Sequence, residues 1–163
     1  MPKRRAQRRR RKAAHEARGS ARTVKNGVHA VAEAHETADQ RNAIGRTEWV
    51  IAEGYIPSGG TGGSPALESH ETACILNASD SPANVEITIY FSDREPAGPY
   101  RLTVQPRRTL HQRFNDLSDP EDVPRDTDYA AVIRSDVPIV VQHTRLDSRQ
   151  SALALLSTIA WAG

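Results

Sequence analysis

Alternation with a period of two is the feature that most limits how this chain can fold. Val85, Ile87, Ile89 and Phe91 alternate with Glu86, Thr88, Tyr90 and Ser92, the pattern of a strand with one dry and one wet face. Tyr100, Leu102 and Val104 alternate with Arg101, Thr103 and Gln105, and Leu110, Gln112 and Phe114 with Thr109, His111 and Arg113. Turn formers punctuate these runs at 77–82, 93–99, 105–106 and 115–120, and Ser135-Asp-Val-Pro138 reads as one more break. No ten-residue helical pattern intervenes. The sequence therefore predicts an all-β fold, an antiparallel β-sandwich or barrel. The candidate strands are 47–53, 71–77, 84–92, 99–105, 108–114, 128–134, 138–145 and 151–161. The last suits a helix on propensity alone, being rich in Ala and Leu.

Charge divides the chain near residue 43. Residues 1–43 carry twelve Lys/Arg against four Asp/Glu, a formal +8, whereas 44–163 carry ten Arg against sixteen Asp/Glu, a formal −6, with no Lys. The two parts are different polymers. Arg4, Arg5, Arg8, Arg9, Arg10, Arg11 and Lys12 repel one another, and few large apolar groups accompany them. A disordered or partly helical basic tail at 1–43 is expected, ahead of one folded domain at 44–163. Such an arm suits phosphate groups, either of nucleic acid or of an anionic lipid surface. Aromatics are 5% of the chain, so the core has to come from Val, Ile, Leu and Ala. No apolar run reaches the eighteen or so residues that span a bilayer, and no apolar segment follows the basic N-terminus as a secretory signal requires. Cys74, the single cysteine, lies in an apolar stretch and reads as an inert thiol in a cytoplasmic protein.

Signatures of catalysis are missing from the sequence. Ser58-Gly-Gly-Thr-Gly-Gly-Ser64 lacks the Lys-Ser/Thr ending of a phosphate loop, and His70-Glu71 lacks the second His of a zinc protease. A triad of Asp147, His143 and Ser148 would rest on proximity alone. The expectation is a protein that is not an enzyme and uses no metal or cofactor. One polar group rises above background: His143, Arg145 and Asp147 share a parity at the end of an apolar strand. Trp49, Ile51, Glu53 and Tyr55 share a parity in the first strand. Leu153, Leu155, Ile159 and Trp161 lie on one face of the last segment, whose other face is also free of charge. A strand dry on both sides needs a second cover, such as another subunit.

Several motifs resemble the sensory rhodopsin transducer family: IGRTEWVIAEGYIP at 44–57, SHETACILNASD at 69–80, VEITIYFSDREPAGPYRLTV at 85–104, RRTLHQRFNDL at 107–117, VPIVVQHTRLDSRQ at 137–150 and SALALLSTIAWA at 151–162. The resemblance covers about 44–162 and implies a jelly-roll-like β-sandwich, a homotetramer, a strand at 151–161, and a non-enzymatic role beside a light-sensing membrane receptor. It also implies a pairing of strands that brings Trp49, Glu53, Tyr55, His70, Glu71, His143, Arg145 and Asp147 together. Rings for stacking, carboxylates and a guanidinium fork suit a sugar, another polyol or a small anion; the same groups equally make a closed salt-bridge network. Three functions stand side by side: an adaptor for a sensory rhodopsin-type receptor, a small-molecule-binding domain without a photoreceptor, and a DNA-binding regulator acting through the tail. A further reading of the tail is translated upstream sequence, with a start inside it at Val24, Val28 or Val31.

Overall fold

A computed structural model describes residues 43–60, 64–150, 152 and 154–163. The expectations for the basic tail, for Leu153 and for the middle of the glycine-rich stretch lie outside the described residues. The strands are β1 (Arg46–Tyr55), β2 (His70–Asn77), β3 (Ala83–Phe91), β4 (Ala97–Val104), β5 (Arg108–Arg113), β6 (Asp128–Asp147), β7 (Ala154–Ile159) and β8 (Trp161–Ala162). Short 3-10 turns occupy Pro65–Leu67 and Phe114–Asp116. All pairings are antiparallel. The first sheet runs β4-β3-β6-β1-β8 and the second β5-β2-β6-β7, so that both share β6.

The shared strand is where sequence and structure part. Instead of breaking at Ser135 to Pro138, β6 continues for 20 residues. Its first half pairs with β3 up to Ser135, and its second half pairs with β2 from Val140. Pro138 falls in the crossing between the sheets, where its missing N–H removes no ladder bond. The segment expected as one strand at 151–161 is interrupted in turn. At Ala160, which is buried and donates its N–H to Val141 O at 3.1 Å, the chain leaves β7 in the second sheet and enters β8 in the first. One predicted break disappears and one appears, so the strand number remains eight.

Inward residues of both sheets form one core. Val85, Ile87, Ile89, Ala131 and Ile133 of the first sheet and Ala73, Ile75 and Val141 of the second are almost completely buried. Each large aliphatic side chain so placed is worth about 1.5–3 kcal/mol. Phe114 closes one end, edge-on to Tyr129 with ring centroids 5.7 Å apart. On the wet face of the first sheet, Glu48, Arg134, Glu86 and Arg101 align in a row across four strands, joined by Arg134–Glu48 and Arg101–Glu86 ion pairs at 2.8 and 3.0 Å.

Candidate functional site

Alternation along β2 turns Glu71, Ala73, Ile75 and Asn77 inward, and cross-strand pairing sets Glu71 opposite Arg145 and Ala73 opposite His143. Glu71 is 0% exposed, a position in which a carboxylate needs partners on every side. Arg145 donates through Nε to Glu71 Oε1, and through Nη1 to Glu53 Oε1 at 3.0 Å. Tyr129 donates its hydroxyl to Glu71 Oε2. Because β6 crosses between the sheets, this one strand supplies Tyr129 from the first and Arg145 from the second. His143 Nε2 stands 3.6 Å from Glu71 Oε2. His143 Nε2 and Arg145 Nη2 are buried without a hydrogen-bond partner.

A bulge in β1 makes room for this arrangement. Ile51 pairs with Ala131 but Gly54 with Tyr129, so three steps on β1 match two on β6 and the parity of β1 reverses. The expected common face of Trp49, Ile51, Glu53 and Tyr55 is therefore broken. Gly54 takes the place opposite Tyr129, and a Cβ there would come within 2.3 Å of the phenol ring. Glycine is what lets the ring cross β1 toward Glu71.

Burial pushes the Glu71 carboxyl up, yet the facing groups His143, Tyr129 and Arg145 prevail and hold it below the ordinary carboxylate value. At 3.6 Å the imidazole makes an approach rather than a bond, so the phenol and guanidinium carry most of the lowering. Burial first, and then the charge of Glu71, push the Tyr129 phenol up. Burial opposes the charge on Arg145, but Glu71 and Glu53 raise its pKa nonetheless. The cluster is thus a carboxylate held ionised by donors on two sheets.

A second, exposed cluster lies nearby on the loops. Tyr55 donates its hydroxyl to Asp126 Oδ1 at 3.1 Å, and Ser58 N donates to the same oxygen at 2.8 Å. These bonds, those of Ser58 foremost, hold the Asp126 carboxyl below its ordinary value. Arg149 lies 5.9 Å from the Tyr55 ring centroid and donates through Nη2 to Asp147 Oδ2 at 2.6 Å. Beneath, Ser69 and Ser148 are fully buried with their hydroxyls 3.1 Å apart, and Ser148 N donates to Ser69 Oγ at 3.0 Å.

Of the residues singled out in the sequence, Glu53, Glu71, His143 and Arg145 converge. Tyr55 and Asp147 meet instead through Arg149. His70 leaves the group because neighbouring residues of a strand face opposite ways; its ring Nδ1 lies 2.7 Å from Glu68 O. Trp49 belongs to the core, with Nε1–H shared between Arg46 O and Ile139 O, each at 3.0 Å. Tyr129 and Asp126 were not singled out. The inward parity of Tyr129 with Ala131 and Ile133 was visible, but only the crossing of β6 aims it at Glu71. Leu155, Ile159 and Trp161 are 70, 61 and 66% exposed. They fall on two faces: Leu155 and Ile159 opposite Leu146 and Gln142 in the second sheet, Trp161 opposite Val50 in the first. Among the described residues no three His, Cys, Asp or Glu side chains are grouped to hold a metal ion, and no helix is long and apolar enough to cross a membrane.

Comparisons with known proteins bear on this arrangement directly. Among curated proteins no sequence matches. A solved structure described as Anabaena sensory rhodopsin transducer is 67% identical, with a TM-score of 0.57, and the match covers 63% of this chain and 99% of that one. A crystal structure of Thermotoga maritima 1070 is 32% identical, with a TM-score of 0.66, over 74% of this chain and 97% of that one. The profile of the family described as Anabaena sensory rhodopsin transducer matches residues 44–162, nearly the whole span of the two sheets. The chain belongs to the Anabaena sensory rhodopsin transducer family.

Proposed function

We propose that this protein is a cytoplasmic, non-enzymatic transducer that binds a sensory rhodopsin-type membrane receptor and relays its state through a homotetramer. The observation that carries the reading is the 67% identity to a sensory rhodopsin transducer over 99% of that chain. Charge supports it. Cytoplasmic loops of membrane proteins carry an excess of Lys and Arg, and residues 44–163 present a formal −6 per subunit, multiplied by assembly. The test is retention of a sensory rhodopsin in nanodiscs by the immobilised protein. Retention that weakens with salt supports the reading, and no retention at low salt with folded receptor contradicts it.

A second reading is a site for a small polyol or anion at the Glu71 cluster. The two buried atoms without hydrogen-bond partners, His143 Nε2 and Arg145 Nη2, favour it, since a ligand hydroxyl or carboxylate satisfies such groups. A calorimetric screen of sugars and small carboxylates against the wild type tests it. Heat of binding abolished by Arg145→Gln supports the site, and no heat with any of them removes it.

A further inference from the structure

Four strand edges bound the two sheets, and three of them are blunted. β4 contains Pro99 and Arg101, β5 contains Arg108 and Arg113, and β8 has two residues. These are the ordinary devices against unwanted strand pairing. β7 has none. Its six residues, Ala154-Leu-Leu-Ser-Thr-Ile159, include no charge, proline or glycine, and every one is exposed. Among the described residues β7 pairs only with β6. An uncharged, fully exposed edge strand is a liability in a free monomer, so its survival here points to a cover.

The ladder shows which groups that cover meets. Ala160 N donates to Val141 O, and Gln142 stands opposite Ile159. In an antiparallel pair, bonded and non-bonded positions alternate. Ala154, Leu156 and Thr158 therefore turn their backbone groups to β6, while Leu155, Ser157 and Ile159 turn theirs to the open edge. We propose that β7 pairs antiparallel with β7 of a second copy about a twofold axis through Ser157, joining the second sheets of two subunits into one. In that register Leu155 faces Ile159 of the second copy, twice. The two copies then exchange the outward bonds of residues 155, 157 and 159, and both open edges disappear. The strand is its own complement: uncharged throughout, with an apolar residue at each end of its outer row and a small polar one at the centre. Across β6 and β2 that row continues through Leu146, Val140 and Leu76, so the apolar surface extends beyond the new seam. An extended peptide from another protein can use the same edge, but nothing in β7 selects one by charge.

The proposal rests on the self-association proposed above, and two measurements on the full chain separate their failures. The first is residue-resolved amide exchange of the wild type at a concentration where sedimentation shows an oligomer. Leu155, Ser157 and Ile159 are expected to exchange as slowly as Leu156 and Thr158, although nothing in their own chain holds them. The second is sedimentation of Ser157→Pro, which deletes one outward N–H and leaves the β6 ladder intact, beside Ser157→Ala, which keeps that N–H. The twofold loses the bond twice, so Ser157→Pro should weaken association about thirtyfold and Ser157→Ala hardly at all. Fast exchange at 155, 157 and 159 in the wild-type oligomer overturns the edge pairing alone, whatever the variant does. Slow exchange that appears only when receptor in nanodiscs is added makes the occupant another protein and also overturns it. A wild type that sediments as a monomer at tens of micromolar removes the self-association and the pairing together.

Discussion

Glu71 is the residue on which the polar interior turns, because an ionised carboxylate with no exposed surface survives only through its donors. Replacing Arg145 with Gln removes the donor on Oε1 and leaves a buried charge short of a partner. The expected cost is about 3 kcal/mol, seen as a lower midpoint in denaturant titration with the slope unchanged. A variant as stable as the wild type would show that solvent already serves Glu71. Acid gives a second handle. Glu71 binds its proton more weakly folded than unfolded. Its contribution to stability is therefore complete above the ordinary Glu value near pH ~4.3 and is lost as pH falls through the lower folded value. Tyr129→Phe takes away one of the groups that depress it, so thermal melts should show acid destabilisation beginning at higher pH than in the wild type. An unchanged onset would mean the phenol does not act on Glu71. Much of this cluster was legible: Glu53, Glu71, His143 and Arg145 all stood out as charges interrupting apolar alternation. Tyr129 did not, because a tyrosine on the inward parity of a strand is ordinary core.

At the scale of elements, alternation located the strands but not their junctions. Pro138 reads as a turn when only local chemistry is considered, yet it sits in a strand that passes from one sheet to the other. That passage depends on partners distant in sequence, β3 on one side and β2 on the other. The bulge between Ile51 and Gly54 was hidden for a similar reason, since a single inserted residue leaves the apolar count unchanged while reversing every later side chain. The break at Ala160 redistributes the apolar C-terminal residues over two faces, and this has a consequence for assembly. Ile159→Glu and Trp161→Glu each place a charge on a separate apolar surface, and the exposed Ile159 position is expected to weaken self-association at the second sheet. Arg101→Glu, whose ion pair with Glu86 is largely exposed and worth at most about 1 kcal/mol, is expected to leave it unchanged. Sedimentation of the three variants checks the order. If Arg101→Glu dissociates the oligomer and Ile159→Glu does not, the assembly uses the charged row of the first sheet.

For the whole molecule, the division of charge at residue 43 frames how it meets its surroundings. Deleting residues 1–43 should leave the melting temperature of the domain nearly unchanged, since that stretch contains few large apolar groups to bury, while reducing binding to duplex DNA or anionic vesicles at low salt. Equal binding with the same salt slope would assign that affinity to the domain itself. The transducer reading depends on something more specific than charge. Its most direct test is calorimetric titration of residues 44–163 into a sensory rhodopsin in nanodiscs, with empty nanodiscs of the same lipid as control. A saturable heat with the receptor alone, at a fixed stoichiometry of domain to receptor and weakened by added salt, is the predicted result. Equal heats with and without receptor, or none at receptor concentrations in the tens of micromolar, would contradict the claim that this domain works by binding it.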